Sequence, residues 1–183
     1  PLVARNGFLR SDFSVREHGE QSSAAMKTRT LEQKIFESAH KIVVTTKSMK
    51  RDVIQIVPEA ASRTVIIPNY VDISLFTPQR NTDDGKHLIF VGRVEPQKNL
   101  EALLEAIEPL DLRLTVIGSG SLTKTLQTRF NSLKSCVDWR GNVPHTDLPS
   151  HIQEATLFVL PSHYEGHPKA LIEAMACGIP VIG

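Results

Sequence analysis

The sequence predicts an α/β fold in which a Rossmann-like parallel sheet carries helices on both faces. From His87 onward, five apolar strand-like runs alternate with four helix-like segments over short loops, the order that is typical of strand–helix–strand units. The strand-like runs are almost continuously apolar, as expected for parallel strands covered on both faces. With 183 residues, of which 40% are hydrophobic, the chain is long enough to bury such a core.

The elements of this regular region are expected in strict alternation. The strands are predicted at HLIFVG, LRLTVIG, CVDWRG, TLFVLPS and PVIG, and the helices at QKNLEALLEAI, SLTKTLQTRFNSL, HTDLPSHIQEA and PKALIEAMACG.

The region before His87 is less regular. Residues 1–25 are polar and weakly periodic. The segment TRTLEQKIFESAH then predicts a helix with Leu31, Ile35 and Phe36 on one face. Strand KIVVTT, helix SMKRDVIQIV and a short, proline-broken strand in TVIIPNYVDISLFTP follow, and QRNTDDGK is polar and turn-rich.

This change of regularity predicts the domain organisation. We expect a partial N-terminal lobe over residues 1–66, an interdomain linker over residues 67–86, and a Rossmann-like lobe over residues 87–183. The chain begins with Pro and stops at Gly183 on an apolar strand-like run, so we expect it to be a piece of a longer protein.

Composition and charge exclude several classes. No run of about 18 apolar residues is present, which excludes a membrane-spanning helix, and the N-terminus lacks the apolar core of a signal peptide. The net charge is +1 and the basic run Lys47–Arg51 is sparse, so nucleic acid is not expected as a partner. That run is interpreted as a solvated helix face, with weak attraction for anionic lipid as the alternative. Cys136 and Cys177 are expected to be reduced thiols of a cytosolic protein.

The loop after the first regular strand carries two cations. In GRVEPQKNL, Arg93 leaves a strand and Lys98 enters a helix. Ligands of parallel sheets bind at the carboxyl ends of the strands, where these two charges could converge on one diphosphate beside a positive helix end. The alternative is that both are ordinary surface residues.

The loop after the next strand carries two glycines. In IGSGS, Gly118 and Gly120 permit the close approach of a ligand to the backbone. The pattern matches only part of the dinucleotide fingerprint, because Thr123 occupies the third glycine position. A dinucleotide-binding module with Asp138 on the ribose of NAD therefore remains an alternative, although the Arg93/Lys98 pair argues against it.

The stretch HYEGHPKALIEAMACGIPVIG places two carboxylates around one helix start. Glu165 lies in a turn, Pro168 suits the first helical position, and Gly178 ends the helix. Glu173 lies roughly 7–8 Å farther along the helix axis. This separation favours two carboxylates that bind two hydroxyl-bearing parts of one extended ligand over an acid–base pair. The alternative is a helix-capping Glu165 with a solvated Glu173, which the apolar neighbours of Glu173 disfavour.

Several spaced blocks resemble one enzyme family. EGHPKALIE, followed by AMACGIPVIG, resembles the E-x-x-x-x-x-x-x-E signature of retaining glycosyltransferases of family 4, which have the GT-B fold. FVGRVEPQKN resembles the diphosphate-binding loop of the family, IPNYVDISLFTP its interdomain segment, TLFVLPSHYEG the strand that leads to the sugar site, and IFESAHKIVVTTKSMKRDV the close of its acceptor lobe. The resemblance covers roughly residues 25–183.

The resemblance implies a role for each residue of the site. Glu165, the residue assigned as catalytic, would meet donor-sugar hydroxyls, and Glu173 would hold the nucleotide ribose. His167 and Pro168 stand where many members carry Phe and Gly. Arg93 and Lys98 would neutralise the diphosphate, Gly118 would allow close approach, and the backbone near Val143 would face the base. The backbone of six further residues would lie along sugar and phosphate: Gly166, His167, Pro168, Lys169, Ala170 and Leu171.

The resemblance also implies the activity. A hexose would pass from a UDP or GDP sugar to a saccharide or lipid-linked acceptor with retention of configuration, in polysaccharide biosynthesis in the cytoplasm or at the inner face of the membrane. The N-terminal lobe could associate with that membrane. No cofactor and no metal are expected, since no His/Asp/Glu cluster with metal-ligand spacing is evident. A GT-B nucleotide-sugar epimerase is the alternative within the fold, whereas a phosphorylase would require a pyridoxal-binding lysine that cannot be identified.

The resemblance leads us to expect that the isolated chain is inactive. Most of the acceptor lobe would be absent and the donor lobe would be truncated. Apolar side chains such as Leu31, Ile35 and Phe36 are then expected to be partly exposed, because the sheet on which they would pack is missing.

Overall fold

A computed structural model of the chain describes residues 1–7, 9–79 and 85–183. The chain divides into two compact units. The first comprises Pro1–Asn69 and Glu165–His167, and the second comprises Tyr70–Tyr164 and Pro168–Gly183. Residues 80–84 of the expected linker lie outside the described residues. Among the described residues, no helix combines the length and the apolar character needed to cross a membrane.

The first unit is a small α/β arrangement around a parallel sheet. Its strands β1, β2 and β3 are parallel and lie in the order β1-β2-β3. The elements are β1 (Val3–Asn6), α1 (Arg10–His18), α2 (Ser23–Ser38), β2 (Lys41–Val44), α3 (Lys47–Ile56), a 3₁₀ turn (Pro58–Arg63) and β3 (Thr64–Ile66). Ser22 caps α2 and Thr46 caps α3, each through a side-chain oxygen that accepts from a backbone amide in the first turn.

One expectation for this unit is wrong, and two of its elements were not predicted. Residues 1–25 contain the strand β1 and the helix α1, and α2 begins at Ser23. In addition, Phe36 is only 2% exposed because it packs in a core with residues such as Ile42 and Val44 of β2. Leu31 and Ile35, at 57% and 40% exposure, are exposed as expected. The described chain thus supplies its own sheet for one side of α2.

The second unit follows the predicted alternation of strands and helices. Its strands are β4 (His87–Val91), β5 (Arg113–Ile117), β6 (Val137–Gly141), β7 (Leu157–Val159) and β8 (Val181–Ile182). Its helices are α4 (Leu100–Ile107), α5 (Thr123–Arg129), α6 (Leu148–Gln153) and α7 (Lys169–Ala176), with 3₁₀ turns at Pro96–Lys98 and Asn131–Leu133. All neighbouring strands pair in parallel, which confirms the predicted fold class.

The strand order of the second unit reverses beside its first strand. The order is β6-β5-β4-β7-β8, so the chain builds outward from β4 on one side and then crosses to the other. Such a reversal leaves a crevice at the carboxyl ends of the two strands beside it, which is where doubly wound sheets bind ligands. The fold alone therefore directs attention to the loops that follow β4 and β7.

The core of the second unit lies on both faces of this sheet. Ile89 and Phe90 are adjacent in β4 and are both fully buried, which requires helices on both faces. Leu104 of α4 and Ile152 of α6 are likewise sealed from solvent, and Phe76 joins the same cluster from the segment before β4.

Candidate functional site

The loop after β4 carries the two predicted cations in different settings. Arg93 is exposed, whereas Lys98 is half-buried at the end of the 3₁₀ turn Pro96–Lys98. Hydrogen bonds from the hydroxyl and amide of Ser121 lower the pKa of Glu95, and the positive charge of Arg93 acts in the same direction. An ionised Glu95 thus ties this loop to the loop after β5.

Gln97 connects the loop after β4 to the loop after β7. Its side chain is only 7% exposed, and its Nε2 donates to the carbonyl of Tyr164 at 3.0 Å. Its own carbonyl accepts from the amide of His163, also at 3.0 Å. The two loops at the reversal point of the sheet are therefore joined by paired hydrogen bonds. Sequence reasoning missed this residue, because a polar side chain in a loop gives no local sign of burial.

The glycines after β5 are explained by the packing of the protein itself. A Cβ atom at Gly118 would lie 2.0 Å from the carbonyl oxygen of Gly92, and one at Gly120 would lie 2.3 Å from that of Val94. Gly118 also has a φ of 120°, a conformation that disfavours other residues. The space beside these glycines, which we expected a ligand to approach, is occupied by the backbone of the loop after β4. A donor-binding role for Gly118 remains a prediction.

Helix α7 begins one residue later than predicted. Pro168 is not its first helical residue but precedes it in an extended conformation (φ −67°, ψ 114°), and Lys169 begins the helix. Gly178, with a φ of 78°, follows the helix in the left-handed conformation, as predicted. The amides of the first turn face the loop that enters the helix, where Ala170 and Leu171 are half-buried.

Glu173 is a buried carboxylate with two basic side chains beside it. The residue is only 3% exposed, which makes the interpretation of Glu173 as a solvated residue wrong. Its Oε1 lies 2.8 Å from Nε2 of His145 and 3.4 Å from Nζ of Lys169. A buried carboxylate needs such partners to remain charged.

His145 was not singled out from the sequence. It lies in the loop after β6, 28 residues from Glu173 along the chain, and its ring packs against that of Phe76 at a centroid distance of 5.2 Å and an angle of 56°. Val143, in the same loop, is half-buried against the core, so its backbone is what it can offer to a ligand.

Glu165, Gly166 and His167 pack with the first unit. The amide of Asn69 donates to Nδ1 of His167 at 3.1 Å, and the Asn69 side-chain amide donates to the His167 carbonyl at 2.5 Å. Oδ1 of Asn69 in turn accepts from Nη2 of Arg5 at 3.3 Å. Most of the predicted site residues thus belong to the second unit and lie at one edge of it: Arg93, Lys98, Gly118, Val143 and the residues from Pro168 to Glu173. The three residues before Pro168 belong to the first unit.

Two further features complete the description of the site. Cys177 and Cys136 are free thiols, and burial together with the negative charge of Glu173 raises the pKa of Cys177 to about 11. Among the described residues, no group of three or more His, Cys, Asp or Glu side chains is arranged to hold a metal ion.

One family profile matches the larger part of the chain. The family described as "Glycosyl transferases group 1" matches residues 73–183. A D-inositol 3-phosphate glycosyltransferase of Kineococcus radiotolerans is 27% identical over 177 residues, covering 82% of this chain and 41% of the relative. The UDP-Gal:alpha-D-GlcNAc-diphosphoundecaprenol alpha-1,3-galactosyltransferase of Escherichia coli is 33% identical over 141 residues, covering 64% and 35%. The chain thus spans less than half the length of these relatives.

Solved structures show the same fold. Sucrose-phosphate synthase from Thermosynechococcus elongatus superposes with a TM-score of 0.80 at 24% identity, over 98% of this chain and 49% of that one. A lipopolysaccharide outer core galactosyltransferase gives 0.63 at 21% identity, over 99% and 56%. These likenesses confirm the α/β architecture of parallel sheets flanked by helices found in GT-B glycosyltransferases.

The contact between Gly118 and Gly92 predicts a large effect on stability. Gly118→Ala should lower the free energy of unfolding by at least about 3 kcal/mol, because the new methyl group would collide with a backbone carbonyl. Gly141→Ala is the matched control, since Gly141 also has a positive φ (63°) but has nothing within 4 Å of its Cβ position. That variant should lose only about 1–2 kcal/mol. Urea denaturation measures both, and equal losses would contradict the packing explanation.

Proposed function

Since the chain belongs to the glycosyl transferases group 1 family, we propose that it carries the donor site of a retaining, family 4 glycosyltransferase. The enzyme would move a hexose from a nucleoside-diphosphate sugar to an acceptor. The observation that carries this proposal is the reversal of strand order at β4 and β7, because the loops at that point hold the cations and lead to the helix with the buried carboxylate.

Arg93 and Lys98 are proposed to bind the diphosphate of the donor. Glycosyl transfer develops positive charge on the anomeric carbon and negative charge on the departing diphosphate. Fixed cations beside that diphosphate stabilise the transition state without reorganisation. Their five-residue separation around one loop, and the attachment of that loop to its neighbours through Glu95 and Gln97, support this assignment. Under this proposal, the donor is bound without a metal and without another cofactor.

Glu173 is proposed to bind the nucleotide ribose and Glu165 the donor sugar. A buried carboxylate with one face directed to a ligand can accept hydrogen bonds from vicinal hydroxyls. The helix start at Lys169 adds partial positive charge near the phosphates. The backbone of residues 166–171 would lie along sugar and phosphate, and that of Val143 would face the base.

The acceptor is proposed to be a saccharide or a lipid-linked saccharide in polysaccharide biosynthesis. The name of one relative gives a UDP-Gal donor and a diphosphoundecaprenol-linked acceptor, which supports a lipid-linked acceptor and a UDP sugar, and a GDP sugar is the other donor that we propose. Reaction in the cytoplasm at the inner face of the membrane is part of the proposal.

Helix α2 exposes Met26 and Leu31 beside Lys27 and Lys34. Co-sedimentation with anionic and neutral lipid vesicles tests whether this unit binds membranes.

The cations should be required for binding of the diphosphate. Arg93→Ala or Lys98→Ala should weaken binding of UDP or GDP by about 1.5–3 kcal/mol, as expected for lost charge-assisted hydrogen bonds. The corresponding monophosphates should lose less. Isothermal titration calorimetry measures both. Lys134→Ala, an exposed lysine beside the amino end of β6, is the control, and diphosphate affinity that is unchanged in both loop variants would contradict the assignment.

The two glutamates should fail in different ways. Glu173→Ala should weaken binding of the free nucleotide and of the nucleotide sugar alike, by about tenfold or more, because both contain the ribose. Glu165→Ala should leave the affinity for free nucleotide within about twofold. It should reduce only the additional affinity that the sugar contributes to binding of the nucleotide sugar. Calorimetry with UDP, GDP and their glucose conjugates distinguishes the variants. Equal losses for nucleotide and nucleotide sugar in both would refute the division of roles.

The 183-residue chain itself is proposed to bind the donor without turning it over. It spans less than half the length of the relatives it matches, so the acceptor side would be incomplete. We expect mass spectrometry to find no glycosylated product when the chain is incubated with UDP or GDP sugars and simple saccharide acceptors. Donor-dependent product above the level of a Glu165→Ala control would show that the chain is catalytically complete.

A further inference from the structure

We propose that His145 is a positioning residue that orients the Glu173 carboxylate toward the ribose hydroxyls of the nucleotide. This inference rests on the proposed function, since it gives the buried carboxylate the ribose as its ligand. It adds a residue from the loop after β6 to a site otherwise built on the loops after β4 and β7.

The contacts of Glu173 fall on one side of its carboxylate. Nε2 of His145 and Nζ of Lys169 both lie near Oε1, at 2.8 and 3.4 Å. In the part of the chain that the structure describes, Oε2 has no hydrogen-bond partner, and it is not among the fully sealed atoms that lack one. One carboxylate oxygen is therefore held by the protein, while the other remains an acceptor for a ligand hydroxyl.

The two partners of Oε1 differ in rigidity. Lys169 is a flexible side chain, 52% exposed, four residues before Glu173 on the same helix, and it can follow the carboxylate as that group rotates. The side chain of His145 is exposed to the same extent, at 51%, but its planar ring rests against Phe76, which is itself only 1% exposed. The final torsion of a Glu side chain is soft, so a directional bond from a seated ring is what can select one orientation.

The proton on His145 is fixed by its partner. An ionised carboxylate only accepts hydrogen bonds, so Nε2 must carry the hydrogen in either the neutral or the charged ring. A second carboxylate, that of Asp72, lies within electrostatic range of this ring. Hydrogen bonds from the hydroxyl and amide of Ser74 lower the pKa of Asp72, and the proximity of His145 adds to that lowering. The ring thus lies near two acceptors, and Glu173 receives its Nε2–H bond.

The test compares variants with and without a donor at position 145. His145→Leu keeps an apolar side chain against Phe76 but removes the N–H group, whereas His145→Gln supplies an amide N–H at a similar reach. For each, calorimetry gives the ratio of the Kd for 2′,3′-dideoxy-UDP to the Kd for UDP, and the same ratio for the guanosine pair. This ratio isolates the hydroxyl contacts and is insensitive to a general loss of stability.

We expect a ratio of at least about 10 in the native chain, because a site built to hydrogen-bond hydroxyls rejects a ligand that lacks them. The ratio should fall to about 3 or less in His145→Leu and stay within about twofold of native in His145→Gln. Urea denaturation identifies the folded variants. If His145→Leu does not fold, His145→Ala replaces it as the variant without a donor.

Two failures are distinguishable. If the native chain binds both nucleotides equally, or Glu173→Ala leaves the ratio intact, the ribose role of Glu173 is wrong and the proposed site fails before His145 is considered. If the native chain discriminates and Glu173→Ala does not, but the folded variant without a donor keeps the full ratio, the donor site stands and the positioning role of His145 is overturned.

Discussion

The arrangement of the second unit depends on the close approach of two backbones at the ends of β4 and β5. Gly118 lies against the carbonyl of Gly92, where no side chain could fit, and its amide donates to the carbonyl of Gly141 at the end of β6. This contact fixes where the loop after β4 can run. Gln97, at the far end of that loop, then holds the backbone of residues 163 and 164. The ends of β4, β5 and β6 and the loop after β7 are therefore connected through backbone contacts and the side chain of Gln97.

The buried Glu173 shapes the chemistry of its surroundings. Its charge, together with burial, raises the pKa of Cys177 to about 11, so this thiol stays protonated near neutral pH and is a poor nucleophile. The same carboxylate contacts both His145 and Lys169 through Oε1. A charge of this kind is stable in a protein interior only with such partners. Glu173 therefore lies on α7 between Lys169, at the start of the helix, and the buried thiol of Cys177, which follows its end.

The sequence predicted the second unit and the later part of the first unit, from α2 to β3, but missed the first two elements of the chain, for physical reasons. Strands β4 and β5 are apolar runs with residues buried on both faces, a pattern that is visible locally. By contrast, β1 alternates between exposed and half-buried positions and α1 is polar, so neither produces a strong local signal. In the site, Arg93, Lys98 and Glu173 could be identified from position and residue type. Gln97 and His145 could not, because their roles depend on partners 67 and 28 residues away, which no local pattern specifies.

The features of the site differ in how strongly they argue for a ligand. The glycines after β5 do not, because the packing of the protein already requires them. Gln97, in the 3₁₀ turn Pro96–Lys98, is likewise explained by the fold, because it joins the loops after β4 and β7. The carboxylate of Glu173 is different, because replacement of a buried ionic group by an apolar side chain is often neutral or stabilising. Stability alone therefore gives little reason for a carboxylate that is 3% exposed, with one oxygen held and the other left to accept. The hydroxyl-bearing ligand that we propose at the reversal point of the sheet would give that reason.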